Sequence, residues 1–158
     1  MAQALQEAKK AYIKGEVPVG AVLADPEGRV LSRAHNQPIA LCDSTAHAEI
    51  LAIRKACEIV RNYRLNRCLL VATIEPCLMC MGAAIHARVS MLAFGAYDVK
   101  GGAAGSLCNP AQDDHLNHRI EIVSGIMEEE CRALMKDFFR ARRGKGNKPD
   151  SGEVPKWP

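Results

Sequence analysis

Apolar residues recur at helical spacing near both ends of this chain and run unbroken through its middle. Leu5, Ala8 and Tyr12 predict a helix over residues 2–14, ended by Gly15. Residues 17–24 and 29–34 read as strands. Asp25, Pro26, Glu27 and Gly28 between them place Pro and Gly where a type I turn takes them, which predicts a hairpin. Ile50, Ile53, Cys57 and Val60 form one apolar stripe on a helix over residues 46–60. Residues 68–73 are a short continuous apolar run, the sign of a strand buried on both faces. Pro76 then opens a helix over residues 77–87, followed by strand-like stretches at 89–95 and 120–123. A final helix over residues 125–143 is rich in Glu at its start and Arg at its end, as the helix dipole prefers.

The order strand, helix, strand across residues 68–95 makes a right-handed parallel crossover the default. A hairpin first and crossovers later imply an α/β protein with a mixed sheet and helices on both faces. Residues 101–105 are small and aperiodic, the mark of a functional loop. Residues 144–158, rich in Gly, Lys and Pro, read as a disordered basic tail, which leaves residues 1–143 as one domain. The length of 158 residues fits that count. Hydrophobic residues make up 48% of the chain and aromatics only 4%, so the core must be built from Ala, Val, Leu, Ile and Met. No apolar run approaches the roughly 18 residues that cross a membrane, and the polar start carries no targeting pattern.

The seven cysteines are odd in number and mostly single in apolar surroundings, which argues for a reducing, cytoplasmic setting over a disulfide framework. The net charge of +3 is unevenly spread. Residues 132–148 hold seven basic residues and one acid, so the body of the chain is mildly acidic and its end basic. Such asymmetry points to nucleic acid or another polyanion, or else to a solvated tail.

The chemistry lies in three short pieces: His47-Ala48-Glu49, Glu75-Pro76-Cys77 and Cys80. Cys77 and Cys80 are three residues apart at a helix start, on one face, where the positive dipole end favours thiolates. Two such thiolates make half of a tetrahedral zinc site. His47, at the start of the other central helix after the capping candidates Asp43, Ser44 and Thr45, is the natural third ligand. Glu49 points past the metal, leaving the fourth position to water, as in a catalytic site. The thiolate pair cancels the formal charge of Zn2+, and Glu49 compensates as the group that moves protons between water and substrate. A lone C-x-x-C also fits a redox pair. It equally fits half of a structural zinc site completed by His35, His86, His115, His118, Cys42 or Cys108.

His47-Ala48-Glu49 together with Pro76-Cys77-Leu78-Met79-Cys80 resembles the cytidine deaminase-like superfamily. Val17-Pro18-Val19-Gly20-Ala21-Val22, His35-Asn36, Asn62-Tyr63-Arg64-Leu65, Gly101-Gly102-Ala103-Ala104-Gly105-Ser106, Asn117-His118-Arg119 and Asp137-Phe138-Phe139-Arg140 narrow the likeness to its bacterial tRNA-specific adenosine deaminases. The resemblance implies a three-layer α/β/α sandwich with a mixed five-stranded sheet. It implies one Zn2+ on His47, Cys77 and Cys80, Glu49 as the catalytic acid and base, and a homodimer that makes inosine at the wobble position of a tRNA anticodon. It further implies that Asn36 hydrogen-bonds the flipped base and that backbone groups at Ala48 and around Pro76 hold base and water. Asp98, Lys100, Asn117, His118, Phe139, Arg142 and Arg143 would line a groove for the anticodon stem-loop. Phenylalanine beside arginine in the last helix offers stacking surface next to phosphate-binding charge, and at least one of Phe138 and Phe139 is expected in the core. A deaminase of a free base or nucleotide, and a non-enzymatic zinc or redox module, are the other function classes this sequence admits.

Overall fold

The computed structural model describes residues 1–145; residues 146–158, most of the stretch expected to be disordered, lie outside the described residues. Helix α1 (Ala2–Ile13) leads into strands β1 (Gly20–Ala24) and β2 (Val30–His35), a short helix α2 (Pro38–Leu41), and α3 (Ala48–Val60). Strand β3 (Leu69–Ile74), α4 (Leu78–His86), β4 (Met91–Ala96), a 3-10 turn (Pro110–Gln112), β5 (Glu121–Val123) and α5 (Glu128–Lys145) complete the chain.

The five strands form one sheet in the order β2-β1-β3-β4-β5. β1 pairs antiparallel with β2 and with β3, while β3–β4 and β4–β5 are parallel. This is the mixed five-stranded sheet expected. Alternation along the strands divides the interior in two. Ala21, Leu23, Leu70, Leu92 and Phe94 pack with Ala48, Ala52 and Ile53 of α3 and with Met81, Ala84 and Ile85 of α4. Val22, Val71 and Ala93 point to the other face, toward Ala4 of α1, and Ile74 and Ala96 meet Leu5 and Cys131, which brings α5 beside α1.

The main cluster is largely alanine, as the scarcity of aromatics requires. Ala48, Ala52 and Ala56 are all wholly buried at a spacing of four, so α3 lies on the sheet along a row of methyl groups. Ser32 on β2 donates its hydroxyl to the Ala52 carbonyl at 2.7 Å and pins the helix there. On the opposite face α1 crosses so near β1 that a Cβ on Gly20 would strike the Ala4 carbonyl.

Several boundaries differ from expectation. Residues 17–19 do not extend β1; Pro18 has no N–H to donate to a ladder. The last helix starts at Glu128 and not at Gly125, because Gly125 (φ 82°) and Met127 (φ 55°) hold left-handed backbone ahead of it. Phe138 is buried, edge-on to Tyr12 at 5.6 Å between ring centres, and Phe139 is exposed.

Candidate metal centre

Helices α3 and α4 lie on the same face of the sheet, and each begins with a metal-ligating residue type. His47 (φ −72°, ψ 151°) is the N-cap of α3, and Cys77 (φ −73°, ψ 171°) is the N-cap of α4. Both are extended, with carbonyls that accept the first helical bonds, from Leu51 at 3.0 Å and Met81 at 2.9 Å. Pro76 therefore stands before the N-cap and not at the first helical position expected for it. Its carbonyl accepts the Ala103 N–H at 2.8 Å, and Cys77 bridges Gly102 in antiparallel fashion, which keeps this stretch extended. Asp43, Ser44 and Thr45 do not cap α3 either. Asp43 accepts from the Thr45 N–H and hydroxyl within its own turn. The Asn36 Oδ1 reaches in from the end of β2 to accept the Ala48 N–H at 2.8 Å.

The donor atoms of His47, Cys77 and Cys80 form a tight triangle. His47 Nδ1 lies 3.6 Å from Cys77 Sγ and 3.5 Å from Cys80 Sγ, and the two sulfurs are 3.7 Å apart. Bonds of about 2.3 Å to sulfur and about 2.0 Å to nitrogen at tetrahedral angles demand S–S and S–N edges of about 3.8 and 3.5 Å. The residues present thus fit zinc, as three corners of its coordination tetrahedron. Among the described residues this is the one group of three or more such side chains close enough to share an ion. His35, His86, His115, His118, Cys42 and Cys108 are not part of it.

Glu49 sits in the first turn of α3, 3% exposed, and its Oε2 has no hydrogen-bond partner. Because His47 is outside the helix proper, the wide angle between residues two apart on a helix does not separate them. Burial pushes the Glu49 carboxyl up to about 7, against the pull of the His47 charge. Hydrogen bonds with Cys80 and His47 hold the Cys77 thiol down to about 4, a thiolate at neutral pH. Cys80 moves the opposite way, raised by its hydrogen bond to Cys77 and then by burial, so the bare pair shares one proton. His47 is raised by its hydrogen bond to Cys77. The first N–H groups of two helices add positive potential at the same point, which suits thiolates.

The remaining expected site residues fall in three places. Asn36, Ala48 and Pro76 surround the metal ligands but are buried, and the Ala48 N–H expected to face a base is spent on Asn36. Asp98, Lys100, Phe139, Arg142 and Arg143 line one cleft of about 830 Å³ between the loop after β4 and α5, together with Arg132 and Lys136. Arg142 is partly committed there: its guanidinium stacks 5.0 Å from the Phe138 ring centre and donates to the Gly15 carbonyl at 3.0 Å. Asn117 lines a separate hollow of about 250 Å³ with Leu78, His86 and Arg88. His118 is held through Nε2 by the Val89 carbonyl at 2.6 Å, the satisfied loop histidine that sequence could not distinguish from a ligand contact.

One residue of this neighbourhood had no role assigned from sequence. Glu75, 3% exposed, accepts the N–H groups of Asp98 (3.1 Å), Ala104 (2.8 Å) and Ser106 (3.0 Å) and the Ser106 hydroxyl. The available signal was an acid directly after a mostly apolar strand.

The sequence model of the cytidine and deoxycytidylate deaminase zinc-binding region matches residues 1–96. A tRNA-specific adenosine deaminase of Bacillus subtilis is 48% identical over 92% of this chain and 89% of its own length. One from Haemophilus influenzae is 45% identical over 90% and 83%. A solved structure from a study of A-to-I editing by tRNA:A34 deaminases at the wobble position superposes with a TM-score of 0.82 at 42% identity, covering 85% of this chain and 96% of that one. A guanine deaminase of Nitrosomonas europaea has the same fold, with a TM-score of 0.75 at 22% identity.

Proposed function

This chain belongs to the tRNA-specific adenosine deaminases of the cytidine and deoxycytidylate deaminase zinc-binding family, and from that premise we propose that it hydrolyses adenosine to inosine at the wobble position of a tRNA anticodon. The observation that carries the chemistry is a three-donor triangle with the edges of a zinc tetrahedron, beside a buried carboxyl oxygen with no partner.

His47, Cys77 and Cys80 would hold the zinc, which when bound would supply Lewis-acid chemistry that lowers the pKa of water toward neutrality. Glu49 does the proton work. Its Oε2 takes a proton as water attacks the carbon bearing the exocyclic amine and delivers it to the adjacent ring nitrogen; it then takes the remaining proton of the added hydroxyl and gives it to the amine, so that the C–N bond breaks and ammonia departs as the carbonyl forms. A carboxyl that titrates near 7 can serve as base and then acid at physiological pH. Asn36, with Oδ1 fixed on Ala48, has its Nδ2 left to orient the base. Protein groups can close round the reacting carbon only if the base leaves its stack, which a single-stranded loop allows at low cost.

The anticodon stem-loop is the partner we assign to the cleft between the loop after β4 and α5. Exposed Phe139 offers a stacking face, and Lys100, Lys136 and Arg143 offer phosphate contacts. Leu78 and Met79, exposed directly after Cys77, are apolar surface that a second copy would cover, which supports a homodimer. Among the described residues no helix is long and apolar enough to cross a membrane, and the free cysteines suit the cytoplasm, where tRNA resides.

The deciding experiment is inosine analysis of tRNA after incubation with the zinc-loaded protein, alongside ammonia release from an anticodon stem-loop RNA and from free adenosine, cytosine and guanine. Inosine at the wobble base, with ammonia from the RNA alone, is expected. Ammonia from a free base but not from RNA would overturn the assignment of substrate.

A further inference from the structure

Glu75 joins the two halves of this site. It follows the last residue of β3, one position before the turn that carries Cys77, yet its carboxylate spends its hydrogen bonds on the loop at residues 98–106. Three amides and a hydroxyl from that loop converge on two oxygens. The loop is built around them: a Cβ on Gly102 would fall inside the carboxylate. The other ties include Gly102 N–H to the Asp98 carbonyl and Ala103 N–H to the Pro76 carbonyl, each at 2.8 Å, with Leu107 N–H to the Gly102 carbonyl at 3.0 Å and the buried methyl groups of Ala103 and Ala104. Cys77 bridges Gly102 of this loop, but it is also held by α4 itself, through the Met81 N–H, and takes nothing from Glu75.

We propose that Glu75 is a positioning residue for the RNA: it clamps the loop after β4 to the strand end beside the metal ligands and so presents Asp98 and Lys100 to the substrate. This rests on the RNA-deaminase reading above. Glutamine cannot replace it. Either amide orientation turns an NH2 group toward at least one backbone N–H, Asp98 on one side or Ala104 and Ser106 on the other. Loosening the loop while sparing α4 leaves zinc in place and costs binding, not chemistry.

The test is steady-state kinetics of zinc-loaded Glu75→Gln on an anticodon stem-loop RNA, with zinc content and amide hydrogen exchange measured on the same protein. Glu75→Gln should keep one zinc per chain, raise KM about tenfold and hold kcat within about twofold. The Ala104 and Ser106 amides should exchange faster while Met81 and Ala84 in α4 stay protected. A purely structural role would reduce the folded fraction, lowering apparent kcat at unchanged KM, and that result overturns the proposal. Loss of zinc also overturns it, since Glu75 would then serve the metal. Should Glu75→Gln not fold, Ser106→Ala removes one of the four donors and should raise KM about two- to threefold; an unchanged KM there counts against the clamp. Wild-type protein that turns over no RNA would remove the substrate assignment, while unaltered exchange in Glu75→Gln would remove the clamp independently.

Discussion

Glu49 Oε2 is buried without a partner, and such an atom costs a folded protein about 1–3 kcal/mol. Glu49→Ala should therefore fold at least as well as wild type, retain zinc, and lose about 10²-fold or more of its turnover. Metal analysis beside an inosine assay checks this, and zinc loss would move Glu49 into the ligand set. Glu7 is a buried carboxylate of the opposite kind. Burial pushes its pKa up, but the hydrogen bonds and charges of Lys10 and His35 outweigh that and hold it below the ordinary value. Its unfolded form binds protons first as pH falls, so its stabilisation is present above about pH 4.5 and lost as pH drops through the lower folded value. Glu7→Gln should cost about 1–2 kcal/mol at pH 7 and progressively less toward pH 3, by urea denaturation at each pH. His47, Glu49, Cys77 and Cys80 were legible in the sequence because residue type and spacing limit what they can do. Asn36 engaging Ala48, and Glu75 gathering a loop 23 to 31 residues away, were not, because a side chain's partner across such a separation leaves no local pattern.

The two ligand-bearing helices hold the site by their first residues. Cys77→Ser keeps the N-cap but removes a thiolate, and should lose zinc or bind it far more weakly; unchanged zinc content would strike Cys77 from the ligands. Helix α5 serves two surfaces, with Phe138 in the core against Tyr12 and Phe139 in the cleft. Lys136→Ala with Arg143→Ala should lower the salt slope of stem-loop binding by about 1.4, about 0.7 per single-strand phosphate contact, and an unchanged slope would make this charge a bystander. Strand β3 was readable as a continuous apolar run because helices cover both faces. Helix α2 and the 3-10 turn were missed, being too short for any periodicity; each has only a proline at its start, Pro38 and Pro110.

For the molecule as a whole, the zinc site fastens α3 to α4 across one face of the sheet. Metal bound only by the folded form at 1,000 times its Kd adds about 4 kcal/mol. For a chain of this size, chelation should lower Tm by about 10 °C, by calorimetry with and without chelator. The alanine row under α3 extends that dependence to atoms remote from any chemistry. Three methyl groups set how high the helix rides above the strands, and that height aims the imidazole at its tip. Ala52→Leu would act as a shim, tilting α3 and prising His47 from the sulfur pair without touching either, so zinc affinity should fall at a position outside every ligand set. In a protein whose reactive centre hangs from two helix tips, calibration is kept by the smallest side chains in its floor.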